Sequence, residues 1–215
     1  MTLNRISKNL QEYYDAHPRI FRRRVCKGPP PEYRWVSWKI LTGAFQAEVP
    51  GAYEELLEQA DKFNDEHHVI LNQIDLDLNR TYPWHPFYSE KYGRIGQSVL
   101  RKACRAYAMH TPEVGYTQSI NFVMGFFLII NGGRDEEAFW LFNAISRQNH
   151  NYGQTENFDG GLSEFYCDNF PLYCQFAYQF ETLMGQKLPR LKLHFDELFF
   201  STEIYLQIWY MTIFT

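Results

Sequence analysis

This chain predicts an all-α fold, on three observations. No segment alternates apolar and polar residues over any length, so none reads as a half-buried strand. Apolar residues instead recur at helical spacing along most of the chain. Rings are abundant, with 18 Phe, 15 Tyr and 5 Trp in 215 residues, and such side chains fill the irregular gaps between packed helices. The periodicity predicts about eight to ten helices.

The elements follow in order. Leu3, Ile6, Leu10 and Tyr13 or Tyr14 share one helical face. The basic cluster RIFRRRV follows and reads as a solvated linker, with contact to anionic lipid or an acidic partner as the alternative. GPPPEYRWVSWKILTG opens on prolines and continues as a helix that Gly43 stops. AYEELLEQADKFNDEHH and VILNQIDLDLNR are two amphipathic helices, the second ending ahead of Pro83. After the loop TYPWHPFYSEKYG, Ile95, Val99 and Ala103 begin a further helix. VGYTQSINFVMGFFLIIN becomes apolar all round, as a buried central helix does. RDEEAFWLFNAISRQ carries acids in its first turn, where the helix dipole favours them. A polar loop from about His150 to Gly161 separates it from LSEFYCDNFPLYCQFAYQFETLMGQ, a helix expected to kink near Pro171. LPRLKLHFDEL and TEIYLQIWYMTIFT are the last two helices, and the final one is apolar on nearly every face.

Composition excludes several function classes. A net charge of -4 gives no broad basic surface, which counts against a nucleic-acid binder. The longest apolar stretch apart from Gly, Phe122 to Ile130, is too short for a bilayer, which takes about 20 residues. No signal-peptide pattern occurs at the start, so a cytoplasmic protein is expected. Cys26, Cys104, Cys167 and Cys174 form no CxxC pair and read as buried free thiols. DLDLN has acids at positions one and three of a calcium loop, but Arg80 and Pro86 occupy the places that need Gly and Glu. Scattered histidines offer no metal-ligand spacing, and no phosphate-binding Gly-rich loop or nucleophile elbow occurs.

Two residues remain. Arg80 follows Asp77 by three, which reads as a cation near a helix C-terminus paired with an acid. Gln118 reads as a polar residue in the first turn of a helix. Residue types alone do not move either beyond that.

In order along the chain, the segments around these two residues resemble the TBC domain. That domain is the all-helical catalytic module of GTPase-activating proteins for Rab-family small GTPases. Gly28, Pro30, Arg34 and Trp38 resemble its opening element. Ile74, Asp77, Arg80, Thr81 and Pro83 fit its pattern Ile-x-x-Asp-x-x-Arg-Thr/Ser-x-Pro in full. Tyr116, Gln118 and Asn121 fit Tyr-x-Gln-Gly-Met-Asn, with Ser119-Ile120 in place of Gly-Met. EEAFWLF and the later LPRLKLHF and YLQIWYMTIF look like family core segments.

The resemblance implies a dual-finger mechanism serving vesicle traffic. Arg80 would be an arginine finger and Gln118 a glutamine finger, both supplied in trans to a GTPase that itself carries GTP and Mg²⁺. Asp77 would hold Arg80 ready, Thr81 completes the motif, and Tyr116 and Asn121 would shape the loop of Gln118. No cofactor of this chain's own is implied. The partner would be a Rab, with peripheral association on endomembranes as a possibility. Ser119 departs from Gly where a backbone often needs freedom. It motivates an alternative: a TBC-like module that binds a small GTPase or scaffold with weak or no activation. Residues 1–27 are then an N-terminal helix and basic linker, and 28–215 the domain. The family domain continues with further helices, so its C-terminal part is expected to be missing here.

Overall fold

The structure, a computed structural model, describes residues 2–62, 68–89, 95–147 and 161–215. The described residues form twelve α-helices and no strand. The all-α expectation holds, and two helices exceed the expected count.

One extra helix lies in the basic segment. Thr2–Ala16 forms α1 as expected, but the stretch read as a linker is α2, Pro18–Cys26. Pro18 occupies its first turn, where the missing N–H costs nothing. Phe21 and Val25, one turn apart, lie against Val36 and Ile40. The arginines dominate the composition of the segment, and this apolar pair is what makes it a packed helix and not a linker. The other extra helix is short. Helix α3, Pro31–Thr42, ends at Gly43 in the left-handed conformation (φ 71°), and α4, Ala44–Ala47, starts at once.

Helices α5, Ala52–Lys62, and α6, His68–Leu78, precede the Pro-rich loop. Residues 63–67, the predicted end of the first of these helices, lie outside the described residues. Helix α7, Ile95–His110, is the centre of the molecule and packs against α5, α6, α8 (Ile120–Asn131) and α9 (Asp135–Ser146). Its Leu100, Ala103, Cys104, Ala106 and Tyr107 have no exposed surface. The two alanines let neighbouring helices approach closely. Tyr107 meets Phe142 of α9 edge to face, with ring centroids 4.7 Å apart. Each large apolar side chain buried this way contributes about 1.5–3 kcal/mol.

The acids that open α9 do more than complement its dipole. Glu137 accepts from Trp35 Nε1 at 2.5 Å and lies 3.5 Å from Lys39 Nζ, while Asp135 accepts from Tyr53 at 3.1 Å. Lys39, 5% exposed, is tolerated in the interior because Glu48 also lies 2.5 Å away.

The predicted polar loop falls mostly on residues 148–160, outside the described residues. Beyond it the expected kinked helix is instead two elements. Leu162–Phe165 is a 3₁₀ turn, and Pro171 begins α10, Pro171–Lys187, as its first residue. A proline cannot supply the N–H an unbroken helix would need there. Helices α11, Pro189–Glu197, and α12, Glu203–Met211, follow as expected. Leu206 and Met211 of α12 are buried, whereas Ile204 and Ile208 are more than 60% exposed. The cysteines are free, but only Cys104 is buried; Cys26 and Cys174 are exposed and Cys167 is intermediate. Among the described residues no helix is long and apolar enough to cross a membrane.

Candidate functional site

The turn after α6 and the loop before α8 are joined by one hydrogen-bonded network. Helix α6 ends at Leu78, and the chain tightens there: Arg80 N–H donates to Asp77 O (3.1 Å) and Thr81 N–H to Leu78 O (3.3 Å). This tight turn throws the Arg80 side chain outward, where it is 67% exposed. Thr81 points inward and is fully buried. Its hydroxyl donates to Asp77 O at 2.8 Å and accepts from Asn121 Nδ2 at 2.8 Å. Asn121 Oδ1 in turn accepts the Ser119 backbone N–H at 3.0 Å. A chain of hydrogen bonds therefore runs from the backbone beside Arg80 to the backbone beside Gln118.

Asp77 is the second tie. It is 1% exposed, and its Oδ2 accepts from Tyr116 Oη at 3.0 Å and from Gln73 Nε2 at 3.3 Å. Its Oδ1 is buried without a hydrogen bond and faces Arg80 Nη1 at 3.8 Å. That separation is an ion pair, beyond hydrogen-bond reach. Asp77 therefore compensates the arginine electrostatically and leaves its donors free. Burial, with Cys104 and Asp77 adding to it, pushes the Tyr116 phenol far above its usual range. Tyr116 thus stays a proton donor to Asp77 under all ordinary conditions. Burial, reinforced by Asp77, likewise pushes the Cys104 thiol up and keeps it inert.

Gln118 is exposed and sits two residues before α8, not in its first turn. The loop holding it is fixed on both sides. Tyr116 is tied to Asp77, and Thr117 Oγ1 donates to Tyr166 O at 2.8 Å. Ser119 is the N-terminal cap of α8 with φ 103° and ψ -28°, and its side chain makes no capping bond. A β-carbon at that φ is strained by about 1–2 kcal/mol. Ser119→Gly should relieve the strain against the extra chain entropy of glycine, for a net gain of about 0.5–1 kcal/mol. The melting midpoint should rise by about 2 °C; a midpoint that stays or falls contradicts the strain.

The structure brings together Asp77, Arg80, Thr81, Tyr116, Gln118, Ser119 and Asn121, the whole set expected from the sequence. It also adds residues the sequence did not single out. Tyr82 Oη donates to Phe122 O (3.1 Å), and Tyr88 Oη to Gly125 O (2.7 Å). A Cβ on Gly125 would lie 2.9 Å from Thr81 Cγ2, so glycine lets the Pro-rich loop lie on α8. The spacing of Asn121 and Gly125, one turn apart on one face, was the available signal. Trp84, four residues beyond Arg80, is 94% exposed.

This is a hydrogen-bonded platform presenting a cation and an amide to solvent. Such a platform suits chemistry performed on another molecule. Comparison with known proteins identifies the platform: the sequence profile of the Rab-GTPase-TBC domain matches residues 31–215.

The chain belongs to the Rab-GTPase-TBC family.

Individual relatives agree. The human Ecotropic viral integration site 5 protein homolog is 33% identical over 191 residues, covering 88% of this chain and 21% of the relative. The Rab GTPase-activating protein eat-17 of Caenorhabditis elegans is 29% identical over 198 residues, covering 92% of this chain and 20% of the relative. This TBC chain therefore spans about a fifth of the length of these curated relatives. The flagellar RabGAP TBC domain of Chlamydomonas superposes with a TM-score of 0.67 at 22% identity, over 96% of this chain and 65% of that one. The Ypt/Rab-GAP domain of Gyp1p gives a TM-score of 0.68 at 17% identity, over 90% of this chain and 67% of that one. These likenesses show the TBC fold.

Proposed function

We propose that this chain activates GTP hydrolysis by a Rab-family small GTPase, on the cytoplasmic side of endomembranes, and so regulates vesicle traffic. The observation that carries the proposal is the hydrogen-bonded tie between the turn of Arg80 and the loop of Gln118 through Thr81 and Asn121. It presets the spacing of two exposed groups, as catalysis by positioning requires.

Charge spreads over the transferring phosphoryl group in the transition state, and a guanidinium neutralises it with planar donors that never lose their proton. Arg80 supplies that group. The attacking water must be oriented by a group that donates and accepts at once, and the Gln118 carboxamide does both. GTP and Mg²⁺ belong to the GTPase, and this chain contributes only its two side chains. Mixing the chain with GTP-loaded Rab proteins in single turnover tests the reading; accelerated phosphate release by at least one Rab is expected.

Trp84 extends the contact. An exposed tryptophan beside the finger is suited to bury itself in a partner. Trp84→Ala should raise KM about 10- to 30-fold while leaving kcat within about twofold. An unchanged KM would remove Trp84 from the interface.

A second reading is motivated by Ser119. A side chain at a strained backbone position next to Gln118 can crowd the nucleotide region of the partner. The chain would then bind a GTP-loaded Rab or a scaffold without accelerating hydrolysis. Binding with an unaltered hydrolysis rate would select that reading.

A further inference from the structure

Helix α2 carries a feature that the finger site does not use. From His17 to Pro31 the chain has five cations, Arg19, Arg22, Arg23, Arg24 and Lys27, and no acid, although its net charge is -4. Successive helical residues turn by about 100°. That places Phe21 and Val25 on the side packed against α3, and Arg19, Ile20, Arg23, Cys26 and Lys27 around the opposite side. All five of these are exposed, Ile20 by 49%. Two arginines lean back on α1: Arg22 Nη2 lies 3.4 Å from Tyr14 Oη, and Arg24 sits 5.5 Å over the Tyr13 ring. Arg19, Arg23 and Lys27 make no ion pair among the described residues. Helix α1 adds Arg5 and Lys8 but also Glu12 and Asp15, so the positive stripe is confined to α2.

We propose that this outer face of α2 is a docking surface for an anionic phospholipid bilayer. Three considerations favour a membrane over a protein. The helix has nine residues and is about 14 Å long. A stable protein interface buries about 800 Å² per partner, more than the convex side of so short a helix supplies. Polybasic attraction to lipid phosphates instead adds cation by cation and needs no matching shape. The half-exposed Ile20 among the arginines meets the interfacial region, while the stems of Arg and Lys lie along it. The apolar side of α2 is already occupied by α3, so the helix rests on the headgroups and does not insert.

The test is sedimentation of the full chain with vesicles of phosphatidylcholine alone, and with roughly 30% phosphatidylserine added. The chain should sediment with the anionic vesicles only, and the bound fraction should fall as salt is raised. The triple variant Arg19→Ala, Arg23→Ala, Lys27→Ala should lose about a hundredfold in partitioning. Its melting midpoint should match the parent, because these side chains face solvent. A control pair, Lys187→Ala with Arg190→Ala, lies on α10 and α11 and should bind like the parent. Equal binding to both vesicle types overturns the proposal, as does a triple variant that binds like the parent. Retention on immobilised polyglutamate without vesicle binding overturns it in favour of an acidic protein partner. Arg80→Ala should leave vesicle binding intact, so failure here is distinguishable from failure of the GTPase reading.

Discussion

Arg80→Ala is expected to remove about 10³- to 10⁵-fold of the acceleration of GTP hydrolysis by a responsive Rab. The effect should fall on the hydrolysis step. Arg80 is two-thirds exposed and lies 3.8 Å from Asp77. The guanidinium is screened by solvent and makes no hydrogen bond to the buried Asp77, whose Oδ2 keeps Tyr116 and Gln73, so the variant should melt within a few degrees of the parent. Binding to the GTP-loaded partner should change far less than turnover, because the finger acts on charge that develops only in the transition state. Arg80→Lys separates two explanations. It keeps the charge and loses the planar fork, so it should recover only a small part of the rate. Full recovery by lysine would mean that a point charge suffices and that the geometry set by the turn after α6 is not needed.

Gln118→Ala is the second large effect, a loss of about 10²- to 10³-fold in the hydrolysis rate, comparable to removing one positioned donor from an active site. The side chain is exposed, so its removal leaves no cavity. Gln118→Glu is the sharper variant. It retains the acceptor, loses the donor and adds a negative charge next to phosphates, so it should be at least as slow as alanine. A glutamate variant as fast as the parent would show that a base, not an orienting amide, does the work. The two positions should also be coupled. The backbones beside them share one hydrogen-bond chain through Thr81 and Asn121, so Asn121→Ala should weaken both fingers at once and also destabilise the fold.

Much of this site could be read from the order of residues. The resemblance of two motifs to the TBC family singles out Asp77, Arg80, Thr81, Tyr116, Gln118 and Asn121, whereas spacing alone reads Arg80 as a helix-end cation and puts Gln118 in a first helical turn where the structure has a loop. The structure adds that Asn121 donates to Thr81 and that Tyr116 donates to Asp77. Those contacts join residues about 40 positions apart, and no local pattern encodes them. Helix α2 was missed for a related reason. Its arginines dominate the composition, while the two apolar residues that fix it matter only once α3 lies beside them. The expected kink near Pro171 failed differently: proline is compatible with a first helical turn as well as with a bend, and only the backbone shows which was chosen. Trp84 was legible as a residue but not as an exposed one, because exposure is a property of the packed loop.

The most direct measurement is phosphate release in single turnover from a panel of GTP-loaded Rab proteins, with and without an excess of this chain, alongside a binding measurement for each. The account predicts that a Rab that binds is also accelerated, and that Arg80→Ala and Gln118→Ala each abolish the acceleration while binding persists. A Rab that binds the parent chain and hydrolyses GTP at its unassisted rate would contradict it.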